Sequence, residues 1–113
     1  MSEPTTTIAV GADLVTLINI FTVDPSRQQE LVDALDRSTA ELFVRQPGFR
    51  SANLHASLDG TRVVNYAQWA GEQAYRDVLR DPEIQAHMAK IAAIAEKFEP
   101  RLFTVSRIHH AAG

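Results

Sequence analysis

The chain has 113 residues, of which 45% are hydrophobic and 22% charged, and this length and composition are typical of one globular domain. The net charge is -3 and the 11 basic residues form no cluster, which argues against nucleic acid or an anionic membrane as a partner. The absence of cysteine excludes disulfides, thiolate catalysis and cysteine-based metal sites. It is compatible with a reducing cytoplasm, where we expect the protein to act.

Strands and helices are predicted in a definite order along the first half of the chain. An apolar, β-branched run over 14–23 predicts the first strand. Asp24-Pro25 then predicts the start of a helix, and Pro47-Gly48 predicts its end. Two extended runs, 49–57 and 61–69, are joined through Asp59-Gly60, which is a strong hairpin signal.

The second helical region is predicted in two pieces. A short helix over 71–79 is followed by a longer one that begins at Asp81-Pro82. Apolar residues recur at helical spacing as far as Phe98, and Pro100 is expected to end this helix. A closing strand is predicted over 101–108.

The order β-α-β-β-α-β predicts an α+β fold, a ferredoxin-like four-stranded antiparallel sheet with helices on one face. A second copy of the sheet is expected to cover the other, apolar face, which would make a homodimeric α/β barrel. The domain is expected to span 13–108, between a flexible N-terminal segment, 1–12, and a loose C-terminal tail, 109–113. No signal-peptide pattern is visible, and no apolar run approaches the roughly 20 residues of a membrane span.

Asn65 and Trp69 are the first candidates for a functional site. They lie four residues apart on the third predicted strand and therefore share a face, together with Val63 and Ala67. A buried amide that lacks a partner costs about 1–3 kcal/mol. Asn65 must therefore have a structural partner or await a ligand.

Asn19 interrupts the apolar face of the first strand in the same way, between Leu17 and Phe21. The first and third strands are neighbours in a ferredoxin-like sheet, so Asn19 is expected beside Asn65. Two interpretations stay open: an amide–amide hydrogen bond that holds the sheet, or two amides that converge on one cavity.

Tyr75, His87 and His55 complete the candidates. The Tyr75 hydroxyl could donate to an oxyanion or anchor its helix, and His87 lies beside the apolar stripe of the last helix. A two-residue hairpin turn would place His55 opposite Val64, away from Asn65, whereas a three-residue loop would bring it to the Asn65 face. No metal-ligand spacing and no glycine-rich nucleotide cradle is visible, so we expect neither a metal nor a cofactor.

The segment His55-Ala-Ser-Leu-Asp-Gly-Thr-Arg-Val-Val-Asn-Tyr-Ala-Gln-Trp-Ala-Gly-Glu-Gln-Ala-Tyr-Arg76, with Pro47-Gly48-Phe49 as a further marker, resembles the antibiotic-biosynthesis monooxygenase family. The resemblance implies a ferredoxin-like homodimer. Such enzymes oxidise polycyclic phenols, quinols or anthrones to quinones with molecular oxygen, and without flavin, haem or metal. A polycyclic aromatic polyketide is thus the implied substrate and antibiotic biosynthesis the implied setting.

The resemblance also implies roles for individual residues. The family's pocket asparagine, tryptophan and tyrosine correspond to Asn65, Trp69 and Tyr75, and Asn19 falls where the anthrone-oxidising branch carries a functional asparagine. Asn65, Trp69 and Asn19 are thus the implied catalytic residues. Tyr75, His55 and His87 are the implied substrate-binding residues, with a share in proton transfer. The chain departs from the quinol-oxidising branch at Met88, where that branch has an arginine.

Three alternatives remain at this point. A haem-degrading enzyme of the same fold shares the asparagine and tryptophan but needs a histidine on the helix after the tryptophan, and residues 73–80 contain none. A dimeric binding or stress-response module, or a cyclase acting on the same polyketides, would have the fold without the oxygenase activity.

Overall fold

The computed structural model describes residues 3–113, so the first two residues of the predicted N-terminal segment lie outside the described part. Residues 3–113 form three helices and one sheet of four antiparallel strands, in the spatial order β2-β3-β1-β4. The predicted ferredoxin-like fold is therefore confirmed. The strands are β1 (Val15–Thr22), β2 (Phe49–Ala56), β3 (Arg62–Trp69) and β4 (Lys97–Phe103), and the helices are α1 (Gln28–Glu41), α2 (Glu72–Val78) and α3 (Pro82–Ile94).

Both predicted Asp-Pro helix starts are present. The Asp24 carboxylate accepts a hydrogen bond from the backbone N–H of Ser26 and caps a 3-10 turn that leads into α1. The Asp81 carboxylate accepts from the backbone N–H groups of Glu83 and Ile84, at 2.8 and 3.4 Å, and caps α3. In each case the carboxylate satisfies N–H groups that a helix start would otherwise leave unpaired.

The prediction for the last helix and strand is wrong. α3 ends at Ile94 rather than near Pro100, and the closing strand spans Lys97–Phe103 rather than 101–108. Pro100 lies inside β4, opposite Asn19. β4 is at the edge of the sheet, where a residue without an N–H can sit without breaking a central hydrogen-bond ladder.

The face of the sheet that the helices cover, here called the inner face, carries two separate core clusters. One cluster packs around Phe21 and Val63, and the other around Leu17, Ala67 and Trp69. The strand register places the two asparagines, Asn19 and Asn65, in the row between these clusters. The core is therefore interrupted by polar groups at its centre. The fully buried helix residues that complete it are Leu31, Ile84 and Ile91.

In the described part of the chain, no helix covers the opposite side of the sheet, here called the outer face. Ile20 is 39% exposed and Phe103 is 46% exposed there. Residues 3–12 form no helix or strand, but the Thr6 hydroxyl donates to the Asn53 amide oxygen and the Gln68 amide donates to the Thr7 carbonyl. Across residues 3–113, none of the helices has the length and apolar character needed to span a bilayer.

Candidate active site

A cavity of about 50 Å³ lies between the inner face and the helices. Ala52 and Ala67 line its floor on neighbouring strands, directly opposite each other. Their small side chains leave the space that larger residues would fill in a packed core. The polar side chains that line the cavity are those of Asn19, Ser38, Thr39, Asn65, Trp69 and Tyr75.

Asn19 and Asn65 are direct cross-strand partners in this cavity, as the sequence predicted. Asn19 is only 5% exposed, and the buried side-chain oxygens of both residues have no hydrogen-bond partner among the described residues. Within residues 3–113, no hydrogen bond joins the two amides, so they do not hold the sheet together in that way. Each unpaired buried polar group lowers the stability of the fold by about 1–3 kcal/mol. The two asparagines are therefore better explained as ligand-binding residues than as residues that stabilise the fold.

Trp69 forms the wall next to this pair and is 1% exposed. Its ring is held edge-on by Phe43, Phe49 and Tyr75, with centroid distances of 6.3, 5.4 and 6.0 Å. The indole Nε1 is buried and has no acceptor among the described residues. The site therefore combines a rigid aromatic wall with a free N–H donor.

Phe49 reaches the cavity because of a bulge in β2. The pairing of β2 with β3 shifts between Phe49 and Ser51, so that Phe49 lies opposite Trp69 while Ala52 lies opposite Ala67. Without the extra residue, side chains three apart on a strand would face opposite sides. The bulge thus places the ring and the small residue on the same face.

Tyr75 lies on α2 at the mouth of the cavity, where the sequence placed it. It is half-buried, and this burial raises the pKa of its hydroxyl, which therefore stays a hydrogen-bond donor at neutral pH. Beyond Tyr75, a cleft of about 290 Å³ continues the cavity and shares Asn19, Tyr75 and Met88 with it. Pro100 of β4 forms the far side of this cleft.

His55 does not belong to this site. It pairs with Val64, so its side chain lies on the outer face and is exposed. The hairpin loop 58–61 keeps the register of the two-residue turn, because the backbone N–H of Ser57 donates to the Arg62 carbonyl. The expected contribution of His55 to substrate binding is therefore wrong for the cavity of its own chain.

Asp59 explains why the hairpin adopts this register. Its carboxylate accepts hydrogen bonds from the Thr61 backbone N–H, the Thr61 hydroxyl and the Ser57 hydroxyl, at 3.0, 2.7 and 2.8 Å. These bonds stabilise the carboxylate and lower the pKa of Asp59 to about 2. The loop is thus organised around one ionised side chain.

His87 lies on α3 but does not line the cavity, contrary to expectation. Its Nδ1 is 2.9 Å from the hydroxyl oxygen of Ser38, which does line the cavity. Ser38 was not predicted from the sequence. The sequence pattern that could have identified Ser38 is its position three residues after Leu35, on the buried stripe of α1, where an apolar residue is expected.

The side-chain inventory also bears on the alternatives. Across residues 3–113, no three His, Cys, Asp or Glu side chains are grouped so that they could hold a metal ion. α2, the helix after Trp69, carries no histidine that could serve as an axial haem ligand. Neither observation favours the haem-degrading alternative.

Comparison with known proteins identifies the family. The model of the antibiotic biosynthesis monooxygenase family matches residues 14–90, a span that includes Asn19, Asn65, Trp69 and Tyr75. Tetracenomycin-F1 monooxygenase of Streptomyces glaucescens is 48% identical over 81 residues, which is 72% of each chain.

Solved structures agree with this match. A mutant of SnoaB, described as a cofactor-independent oxygenase from Streptomyces nogalater, is 33% identical and covers 86% of this chain and 97% of its own, with a TM-score of 0.74. The monooxygenase from the gene ActVA-Orf6 of Streptomyces coelicolor, in complex with nanaomycin D, is 33% identical and covers 87% of this chain and 92% of its own, with a TM-score of 0.77. The chain thus belongs to the antibiotic biosynthesis monooxygenase family.

Proposed function

We propose that this monooxygenase oxidises a polycyclic aromatic polyketide, an anthrone or quinol, to the corresponding quinone with molecular oxygen and without a cofactor. The observation that carries the proposal is the convergence of Asn19, Asn65 and the Trp69 indole on one cavity, with buried polar atoms that have no partner within residues 3–113. Similarity to an enzyme of tetracenomycin F1 and to a cofactor-independent oxygenase supports it.

The chemistry needs little from the protein beyond this arrangement. Triplet oxygen reacts slowly with closed-shell molecules, and most oxygenases therefore recruit a metal or flavin. A deprotonated anthrone can itself transfer one electron to oxygen, after which the radical pair combines to a peroxide. Loss of water from the peroxide leaves the carbonyl of the quinone. The protein must bind the flat substrate, stabilise the enolate oxygen and exclude bulk water.

The polar groups of the cavity match these requirements. The indole N–H of Trp69 and the amide N–H groups of Asn19 and Asn65 can donate to an enolate or peroxide oxygen. The unpaired side-chain oxygens of the two asparagines can accept from a phenol hydroxyl of the substrate. The aromatic wall around Trp69 suits a flat ring system, and Tyr75 donates from the mouth. Because a polycyclic substrate exceeds 50 Å³, it would occupy the adjoining cleft as well, beside Met88 and Pro100.

We also propose that the enzyme works as a homodimer that buries the outer face. Half-buried or exposed apolar side chains, among them Ile18, Ile20, Val64 and Phe103, lie on this side of the sheet. A second copy of the same sheet is the simplest cover, since a two-fold interface is self-complementary.

Oxygen uptake with an anthrone of the dithranol type tests the function. We expect protein treated with a chelator to consume oxygen and to form the quinone well above the rate of autoxidation in buffer. Asn65→Ala should lower kcat by about 100-fold or more, the effect of removing one oxyanion donor.

Asn53→Ala is the matched control, because this asparagine lies on the neighbouring strand with its side chain bonded to the Tyr66 carbonyl rather than to the cavity. It should keep the wild-type rate. Oxygen uptake no faster than autoxidation, or an Asn65→Ala variant with unchanged turnover, would reject the proposed function.

A further inference from the structure

Ser38 connects the cavity to a histidine outside it. It is 4% exposed, lies on the buried stripe of α1 and lines the same cavity as Asn19 and Asn65. Its hydroxyl oxygen is 2.9 Å from Nδ1 of His87, which is on α3 and partly exposed. The pair therefore spans the wall between the cavity and the surface.

The cavity needs such a connection because the described side chains of its lining offer no base at neutral pH, and burial keeps the Tyr75 hydroxyl protonated by raising its pKa. Among residues 3–113, the side chains that line it include no histidine, carboxylate or lysine. Amide and indole N–H groups donate but do not accept a proton. The Thr39 hydroxyl also lines the cavity, but it donates to the Leu35 carbonyl at 2.8 Å. Its proton is therefore held by a hydrogen bond within α1 and does not connect the cavity to another side chain.

We propose that Ser38 and His87 form the proton relay of this oxygenase. The inference rests on the proposed function, which requires a proton to leave the substrate before oxygen can react. As the substrate carbon or phenol loses its proton to the Ser38 oxygen, the Ser38 hydroxyl passes its own proton to Nδ1 of His87. The substrate keeps the electron pair as an enolate, and His87 becomes an imidazolium ion.

The same path serves the end of the reaction. The peroxide anion formed from the enolate and oxygen takes a proton from the imidazolium through Ser38 and becomes a hydroperoxide. Cleavage of its O–O bond, with loss of the remaining hydrogen of the same carbon, then leaves the carbonyl and releases the distal oxygen as water. Proton transfer to Nδ1 requires the tautomer of His87 with its proton on Nε2, in which Nδ1 accepts from the Ser38 hydroxyl. Because His87 is partly exposed, its proton can also exchange with water. Ser38 is the group that touches the substrate, and His87 acts through it.

Anaerobic hydrogen–deuterium exchange isolates this step from the oxygen chemistry. In deuterated buffer without oxygen, the wild-type protein should exchange the methylene protons of dithranol faster than buffer alone, as followed by NMR. Ser38→Ala and His87→Gln should each slow the enzymatic exchange at least about 100-fold, the usual contribution of a general base. Dithranol binding to His87→Gln, measured by titration, should stay at the wild-type affinity, because His87 does not line the cavity.

The choice of glutamine separates proton transfer from packing. Its amide oxygen can still accept from Ser38 and keep α1 and α3 together, but it does not take up a proton. His109→Gln, in the exposed C-terminal tail, removes a histidine elsewhere and should leave the exchange rate unchanged. In a folded His87→Ala variant, added imidazole should restore exchange in proportion to its concentration.

Exchange at the wild-type rate in both Ser38→Ala and His87→Gln would overturn the relay and leave the oxygenase function standing. A His87→Gln variant that exchanges normally while His87→Ala does not respond to imidazole would likewise assign the pair a structural role. By contrast, a wild-type protein that neither exchanges nor oxidises the anthrone would reject the proposed function itself.

Discussion

The indole N–H of Trp69 is a buried donor that has no acceptor in the part of the chain that the structure describes. Trp69→Phe keeps an aromatic ring among Phe43, Phe49 and Tyr75 but removes this donor. We expect kcat for anthrone oxidation to fall about 100-fold if the donor stabilises developing charge on oxygen. Stability should change little by comparison, since the loss of an unpaired donor removes a desolvation penalty of about 1–3 kcal/mol that partly offsets the lost contact area.

Steady-state kinetics and urea unfolding of the same preparation check this prediction. A variant that unfolds at lower urea concentration but turns over normally would show that Trp69 serves packing alone. Tyr75→Phe can be measured in the same way, because this variant also removes one polar group, the hydroxyl, and leaves the aromatic ring at the cavity wall.

Residues on one strand were the most predictable part of the site. Asn65 and Trp69, or Leu17 and Asn19, share a face because of the two-residue period of a strand, which is a local property. The pairing of Asn19 with Asn65 followed from the strand order of the fold. The Ser38–His87 contact depends on the packing of α1 against α3, which is not encoded locally. The position of His55 depends on the hairpin register, for which the sequence alone left two loop lengths open.

Gly48 controls how closely α2 approaches the start of β2. Its φ is +83°, and a Cβ built there would lie 2.5 Å from the Cβ of Ala74. Its carbonyl also accepts a 2.7 Å hydrogen bond from the backbone N–H of Ala70. Gly48→Ala should therefore destabilise the fold by about 2–5 kcal/mol, through a left-handed backbone and a steric collision with α2. Urea denaturation monitored by circular dichroism measures this loss.

Two further variants separate the backbone effect from the collision. Gly11→Ala has a similar φ of +76° but nothing within 4 Å of the added Cβ, so it should show the backbone effect alone. Ala74→Gly removes the atom that collides, and combined with Gly48→Ala it should give less destabilisation than the sum of the two single changes. Strict additivity would contradict the contact between residues 48 and 74.

Pro100 shows where prediction at the level of elements failed. Proline after a helical pattern is a reasonable helix stop, but here the helix ends at Ile94 and proline sits in an edge strand. Phe98, Pro100 and Leu102 lie opposite Phe21, Asn19 and Leu17, all on the inner face. This two-residue alternation was the competing signal. It was masked because Phe98 also fits the helical spacing of the preceding apolar residues.

The whole molecule is expected to be a dimer with its outer faces in contact. Ile20 lies on the central strand β1 on that face and is 39% exposed. Ile20→Lys would place a charge in the proposed interface, where a buried unpaired charge is strongly unfavourable. We expect this variant to sediment as a monomer at concentrations at which the wild-type protein sediments as a dimer.

Leu58→Lys provides the control for this measurement. Leu58 is fully exposed at the tip of the hairpin, so the same gain of charge should leave the sedimentation coefficient at the dimer value. A wild-type chain that sediments as a monomer, or an Ile20→Lys variant that remains dimeric, would contradict the proposed interface. The apolar outer face was foreseeable from strand alternation, whereas the identity of its cover depends on a second chain.

Trp69 is also the only tryptophan of the chain, and this makes the site spectroscopically visible. Ultraviolet emission excited at the indole band originates entirely from the wall of the cavity. A flat aromatic molecule bound within a few ångströms of that ring would quench the emission by energy transfer, without a label and before any turnover. The position of one side chain therefore provides a direct optical titration with which candidate polyketides can be ranked by affinity.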